Sequence, residues 1–152
     1  MRLTHLADYA VVMMTAAARQ PAQRWSAASL ASETGVPQAT AQKLMQLLAR
    51  ADLITGQRGA GGGYMLARPI EAISLADIIE AVEGPIAMTQ CSDGSNDCAL
   101  DANCRIKPHM GLVGERVRAA LADVSLETLC IPATAGIHVE GRDWAPASAG
   151  AR

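Results

Sequence analysis

Over the first fifty residues, apolar positions recur at three- and four-residue intervals and are interrupted by residues that end helices. Leu6, Ala10, Met13, Met14 and Ala17 form one stripe, which predicts a helix over residues 4–19. Thr4 can cap its start. Asp8 falls in the first turns, where a carboxylate complements the helix dipole. Gln20 and Pro21 end the element. Ser26 is placed to cap a second helix over 27–34. Gly35, Val36 and Pro37 then lead into a third over 37–51. Proline near the first helical position is well placed because its missing N–H has no partner to lose there. Leu44, Leu47 and Leu48 would face inward. Two short helices joined by a tight turn containing glycine form the helix-turn-helix pattern.

The periodicity then changes. Residues 53–58 and 64–67 suit two short strands, separated by Gly59-Ala60-Gly61-Gly62-Gly63. A helix-turn-helix followed by such a hairpin is a winged helix. The glycine run could also cradle a phosphate, but it lacks the Lys-Ser/Thr of a P-loop and does not open a helix. Pro69 closes the hairpin. Ser74 and Asp77 read as a capping box, with Asp in place of Glu, for a helix over 75–83 with Leu75, Ile78, Ile79 and Val82 on one face. Gly84 and Pro85 stop it, and the chain is expected to run extended through 86–90. From about Ile106 a long helix follows, with Ile106, Met110, Val113, Val117, Ala120, Leu121 and Val124 as its apolar stripe. Gly111 and Gly114 weaken it intrinsically but would let another helix approach closely. A last helical turn over 125–131 precedes an Ala/Gly/Pro/Ser-rich stretch expected to be disordered.

The fold expected is therefore mainly α with a small β-hairpin wing: a winged helix-turn-helix DNA-binding domain (1–85), a cysteine-rich loop (86–105), a dimerisation helix with a short terminal helix (106–131) and a tail (132–152). Half the residues are hydrophobic and none is Phe, so the core must be Ala, Leu, Val, Ile and Met. The nearest approach to an apolar run, Tyr9–Ala18 with Thr15 inside it, is ten residues, well short of the ~18 of a membrane span. A cytoplasmic protein, with no membrane partner and no small-molecule substrate, is expected. The net charge of −2 conceals an asymmetry. Residues 1–69 carry seven Lys/Arg against three Asp/Glu, and residues 70–152 carry six against twelve. A positive first half and a negative second half fit a nucleic-acid-binding end and a regulatory end.

In the helix-turn-helix reading, Gln38, Thr40, Gln42 and Lys43 occupy the opening turns of the third helix, which reach base edges and phosphates. Gln pairs with adenine, and Lys with guanine or phosphate. Arg58, beside Gly59 at the wing's edge, is placed for a minor groove, where narrow A·T tracts attract arginine.

The stretch from Cys91 to Cys104, CSDGSNDCALDANC, holds three of the four cysteines within fourteen residues. Between them lie mostly Ser, Asp, Gly and Asn, which cannot bury enough apolar surface to offset ordering entropy. In a reducing cytoplasm, clustered cysteines favour metal or redox chemistry over disulfides. Thiolates are soft ligands that suit zinc or iron–sulfur clusters. Gaps of six and five residues are long for a structural zinc pair, whose cysteines are usually about two to four apart, and easier for a wider cluster. Zinc and a free-thiol redox switch stay as alternatives. Cys130, at the edge of the tail, reads as a packed thiol.

The run RGAGGGYMLARP (58–69), with SLADIIEAVEGPI (74–86) and the three cysteines, resembles the IscR/NsrR family of winged-helix regulators. LADYAVV and EGPIAMTQC look most like its regulators of SUF-type iron–sulfur cluster assembly. The resemblance spans roughly 1–130. It implies a homodimer that binds a double-stranded DNA operator and an iron–sulfur cluster, with Cys91, Cys98 and Cys104 matching the cluster cysteines. A 2Fe–2S cluster is favoured and 4Fe–4S is the alternative. Some members place a His three residues after the last cysteine. Here that residue is Lys107, with His109 two residues on. Others use an acidic residue of the partner subunit near the start of the first helix, which matches Asp8. His109 is preferred as fourth ligand, with Asp8, solvent or another carboxylate open.

The function expected is a cluster-sensing transcriptional regulator, with a nitric-oxide or redox-sensing repressor of the same fold as the alternative. A metal or redox carrier on a winged-helix scaffold is a reading from another class, and salt-dependent binding to duplex DNA separates the two. An enzyme is not expected, because no nucleophile–base pair or helix-borne ligand set emerges.

Overall fold

The computed structural model describes residues 3–59, 61–89 and 105–131. In chain order the elements are α1 (His5–Ala18), α2 (Ala27–Thr34), α3 (Gln38–Arg50), β1 (Ile54–Gln57), β2 (Gly63–Leu66), a 3-10 turn (Ile70–Ala72), α4 (Leu75–Glu83), α5 (Lys107–Ala122) and α6 (Leu126–Cys130). The helices start where side chains can satisfy otherwise unpaired N–H groups. Thr4 accepts from the Ala7 N–H, and Ser125 accepts from that of Thr128. Ser26 with Ser29, and Ser74 with Asp77, form reciprocal capping boxes. Pro37 lies just outside α3, as its cap, and not within the helix as the sequence suggested. Its ψ of 134° is extended, and the helix can begin only after it.

The core lies where α1, α3, α4 and α6 meet. Met13, Met14, Leu44, Met45, Leu48, Leu53, Ile73, Ile78 and Leu126 are its largest fully buried side chains. With no Phe available, unbranched methionines fill the irregular spaces between helices. Leu44 and Leu48 are buried as expected. Leu47 is only half-buried, and Met45 takes the inner position. The two strands pair antiparallel, from Ile54 opposite Leu66 to Gln57 opposite Gly63. Trp25 adds a one-residue bridge to β2 that periodicity did not reveal. Its N–H donates to the Tyr64 carbonyl at 2.8 Å and its carbonyl accepts from the Tyr64 N–H at 2.7 Å.

The chain's later part returns to this body. The Leu126 N–H donates to the Ile73 carbonyl at 2.7 Å, and the Leu75 N–H donates to the Val124 carbonyl at 2.8 Å. Leu126 itself is fully buried. Residues 86–89 are described and form no strand, and Gln90 lies outside the described residues. So do Cys91, Cys98 and Cys104, and the tail from 132 onward.

The stripe expected along α5 does not become one buried face. Met110, Val117 and Leu121 are half-buried, while Ile106, Leu112 and Val113 are 61%, 54% and 42% exposed. Gly114 is buried, but backbone approaches it and not a helix. A Cβ there would stand 3.8 Å from the Ile86 carbonyl oxygen and 4.0 Å from the Met88 nitrogen. Gly111 faces open space.

Truncating Leu126 to Ala should cost about 2–5 kcal/mol, the range for a buried leucine. Equilibrium urea unfolding followed by far-UV circular dichroism measures this, and the transition midpoint should fall accordingly.

Candidate nucleic-acid interface

The geometry of α3 follows from the turn before it. Gly35 ends α2 at φ 75°, ψ 5°, a left-handed conformation that glycine adopts without a Cβ penalty. Its N–H returns to the Ala31 carbonyl at 2.9 Å. Val36 is buried next in sequence, which fixes the angle at which α3 leaves the turn. Ala41, Leu44, Met45 and Leu48 then face the core. That phase sets Gln38, Gln42 and Lys43 on the exposed side, with Thr40 half-buried.

Two further residues share that face and were missed in the sequence. Gln46 and Arg50 are exposed and continue the four-residue spacing of Gln38 and Gln42, which places all four along one side of the helix. That spacing was available as a signal.

The wing is built around a turn that leaves no room for a side chain at Gly62. The Gly62 N–H donates to the Gly59 carbonyl at 2.8 Å. A Cβ on Gly62 would lie 2.5 Å from the Gln57 carbonyl oxygen and 2.8 Å from that of Gly59. Arg58 and Gly59, at the strand's end, are both exposed. Arg24 is a further cation by the wing. It is exposed, it precedes the Trp25 bridge, and its Cβ lies 3.3 Å from where a Gly63 Cβ would stand. Among the described residues, the ion pairs formed are Arg68 with Asp77 and Arg118 with Glu80. Arg24, Lys43, Arg50 and Arg58 are therefore unpaired there and open to phosphates.

The predicted cluster residues are only partly in view. Cys91, Cys98 and Cys104 lie outside the described residues. His109 is exposed in the first turn of α5, and Asp8 is exposed in the first turn of α1. No group of three or more His, Cys, Asp or Glu placed to hold a metal occurs among the described residues. Cys130 is a packed thiol, as expected. It is half-buried, and its S–H points to the Thr15 carbonyl at 3.9 Å. Burial pushes its pKa up, opposed by Arg19 and assisted by Glu127.

The family described as "Rrf2: Iron-dependent Transcriptional regulator" matches residues 3–131. The chain belongs to the Rrf2 family. It is 35% identical to "Protein aau3" of Rhizobium meliloti (strain 1021), over 68% of each chain. It is 30% identical to "HTH-type transcriptional regulator IscR" of Xenorhabdus nematophila, over 85% of this chain and 79% of that one. The structure of "T. potens IscR" has the same fold, with a TM-score of 0.65 and 22% identity over 95% of each chain. Family membership makes this Rrf2 protein a DNA-binding transcriptional regulator and not an enzyme, and the IscR fold matches its helices and hairpin wing.

For this Rrf2 regulator, Gln42→Ala should relax preference at particular base pairs, by ~1–3 kcal/mol for a lost bidentate contact. Arg58→Ala should weaken binding to operator and flatten its salt dependence. Fluorescence anisotropy on labelled operator over a series of salt concentrations reads both. Wild-type affinity for Arg58→Ala at every salt level would exclude the wing from contact.

Proposed function

We propose that this Rrf2 regulator is a cytoplasmic homodimer that carries an iron–sulfur cluster, 2Fe–2S in preference to 4Fe–4S, and controls SUF-type iron–sulfur assembly genes. The observation that carries the reading is positional. Three cysteines lie in the one long connection between a DNA-reading body and α5. The donor set fits: three soft thiolates with an imidazole or carboxylate available. Cys91, Cys98 and Cys104 would hold the cluster, with His109 as preferred fourth ligand and Asp8 of the opposite subunit as the alternative. When bound, the group supplies a centre that responds to iron supply and oxidants.

The protein's own residues do the rest. Gln38, Thr40, Gln42 and Lys43 read the major groove. Arg58 and Gly59 enter the minor groove. Residues 1–85 act as the reader, 86–105 as the sensor and 106–131 as the pairing element, leaving 132–152 as a tail. The exposed Ile106, at the N-cap of α5, and Leu112 and Val113 within it support pairing, because exposed apolar side chains are best covered by a second copy. Ligation by the three cysteines would tie the end of α4 to the start of α5. The spacing of the two α3 helices would then differ between loaded and empty dimers. No described helix is long and apolar enough to cross a membrane.

Anaerobic purification, with iron and acid-labile sulfide counted and a visible spectrum recorded, tests the reading. Cys91→Ala, Cys98→Ala and Cys104→Ala should each lose iron and colour, while Cys130→Ala keeps both. Retention of full iron by all three loop variants would overturn it. His109→Ala should shorten the cluster's lifetime in air more than Asp8→Ala does. An unchanged lifetime for His109→Ala removes that histidine from the ligand set, and mixed dimers then show whether Asp8 acts across the interface.

A further inference from the structure

One carboxylate joins three separate parts of the chain. Glu80 lies on α4, and its side chain is 23% exposed. It accepts from Arg118 on α5 in a forked arrangement. The Arg118 Nε–H lies 2.9 Å from Oε1 and 3.2 Å from Oε2, and the Nη2–H lies 3.0 Å from Oε2. The same Oε1 accepts from the backbone N–H of Ile86 at 3.3 Å. Ile86 begins the segment that leads into Cys91. That segment also touches α5, since Ile86 and Met88 lie against Gly114, one helical turn before Arg118.

Behind Glu80 the contacts are apolar. Ala76, Ile78 and Ile79 of α4 are buried, and α4 packs on both α1 and α3. A displacement of residues 86–88 or of α5 therefore reaches the reading helix through a rigid helix, with Glu80 at the junction. Elsewhere α4 is joined to the N-terminal cap of α1 by the Thr4–Glu83 hydrogen bond. Glu80 is the residue that meets the connection to the cysteines. Forked guanidinium–carboxylate pairing fixes orientation as well as distance, which an ammonium would not do.

We propose that Glu80 is a positioning residue that couples the cysteine segment to DNA reading, by holding both the root of that segment and α5 to α4. The proposal rests on the cluster-sensing reading for its biological role, while the clamp itself is a property of the folded chain. Its removal disconnects sensor from reader and leaves each intact. Glu80 touches neither the exposed face of α3 nor any cysteine in the described residues.

The experiment uses full-length protein, cluster-loaded under anaerobic conditions and cluster-free after chelation. Operator affinity of both forms is measured for wild type, Glu80→Ala, Glu80→Gln and Arg118→Ala. Hydrogen exchange is followed in the cluster-free forms. In wild type the two forms should differ in affinity by roughly 5–150-fold, the usual size of a coupling between sites. In Glu80→Ala that ratio should collapse towards one, with iron content and cooperative unfolding unchanged. Arg118→Ala should lower it in part. Glu80→Gln, whose amide oxygen still accepts, should recover most of it. Exchange at the Ile86 amide should quicken by about tenfold or more in Glu80→Ala, while amides of α1 and α3 keep their protection. An unchanged affinity ratio in Glu80→Ala overturns the coupling role. Equal Ile86 exchange in wild type and Glu80→Ala overturns the clamp. A wild-type ratio of one, with the exchange difference present, overturns the sensing reading and the coupling role with it, and leaves the clamp standing.

Discussion

The return of the chain at Leu126 onto Ile73 is the constraint from which the rest of the arrangement follows. A fully buried leucine and two backbone hydrogen bonds, to Ile73 and from Leu75, bind the start of α6 to the start of α4. Both ends of the 84–124 connection are therefore fixed to the same body that carries α3. With that closure, α5 is held to the body at its C-terminal end as well as through the Glu80–Arg118 pair. Burial of Leu126 removes apolar surface from water, and the paired backbone groups lose little by leaving it.

The candidate reading surface is the reverse side of the same packing. Ala41, Leu44, Met45 and Leu48 are drawn into the core, so Gln38, Gln42, Gln46 and Arg50 are left on the other side. The wing depends on backbone proximity more than on side chains: Trp25 pairs with Tyr64, and Gly62 sits where a Cβ would strike two carbonyls. Arg24, Lys43, Arg50 and Arg58 beside these elements are unpaired among the described residues, while acidic residues dominate the later half of the chain. Charge is thus distributed with its positive excess in the first half and its negative excess in the second.

Between reader and α5 the interactions change character. The core is apolar and holds no buried polar or charged residue among those described. Between α4, the connection and α5 stand the partly exposed hydrogen bonds of Glu80. Exposed pairs of this kind add little to stability, because solvent screens them and side-chain entropy opposes them. They do set geometry, and they can be made and broken at small cost.

Local pattern alone determined much of this protein. Capping residues Thr4, Ser26, Ser74 and Ser125, the glycine turn at Gly35 and the three-four spacing of apolar residues act within a few residues of sequence, so the helices were legible to within a residue or two. The glycine-rich hairpin was legible for the same reason. The 58–69 and 74–86 sequences, completed by the three cysteines, carried the resemblance to a family of regulators. Tertiary structure alone decided which apolar residues were covered. The α5 stripe looked uniform in sequence, yet Val113 is exposed and Gly114 is buried, because residues 86–88 and not a helix lie against it. It also decided the Trp25 bridge to the wing and the meeting of Glu80 with Arg118, thirty-eight residues away. Such pairings are set by where long connections bring the chain back, and residue spacing along the sequence carries no record of that.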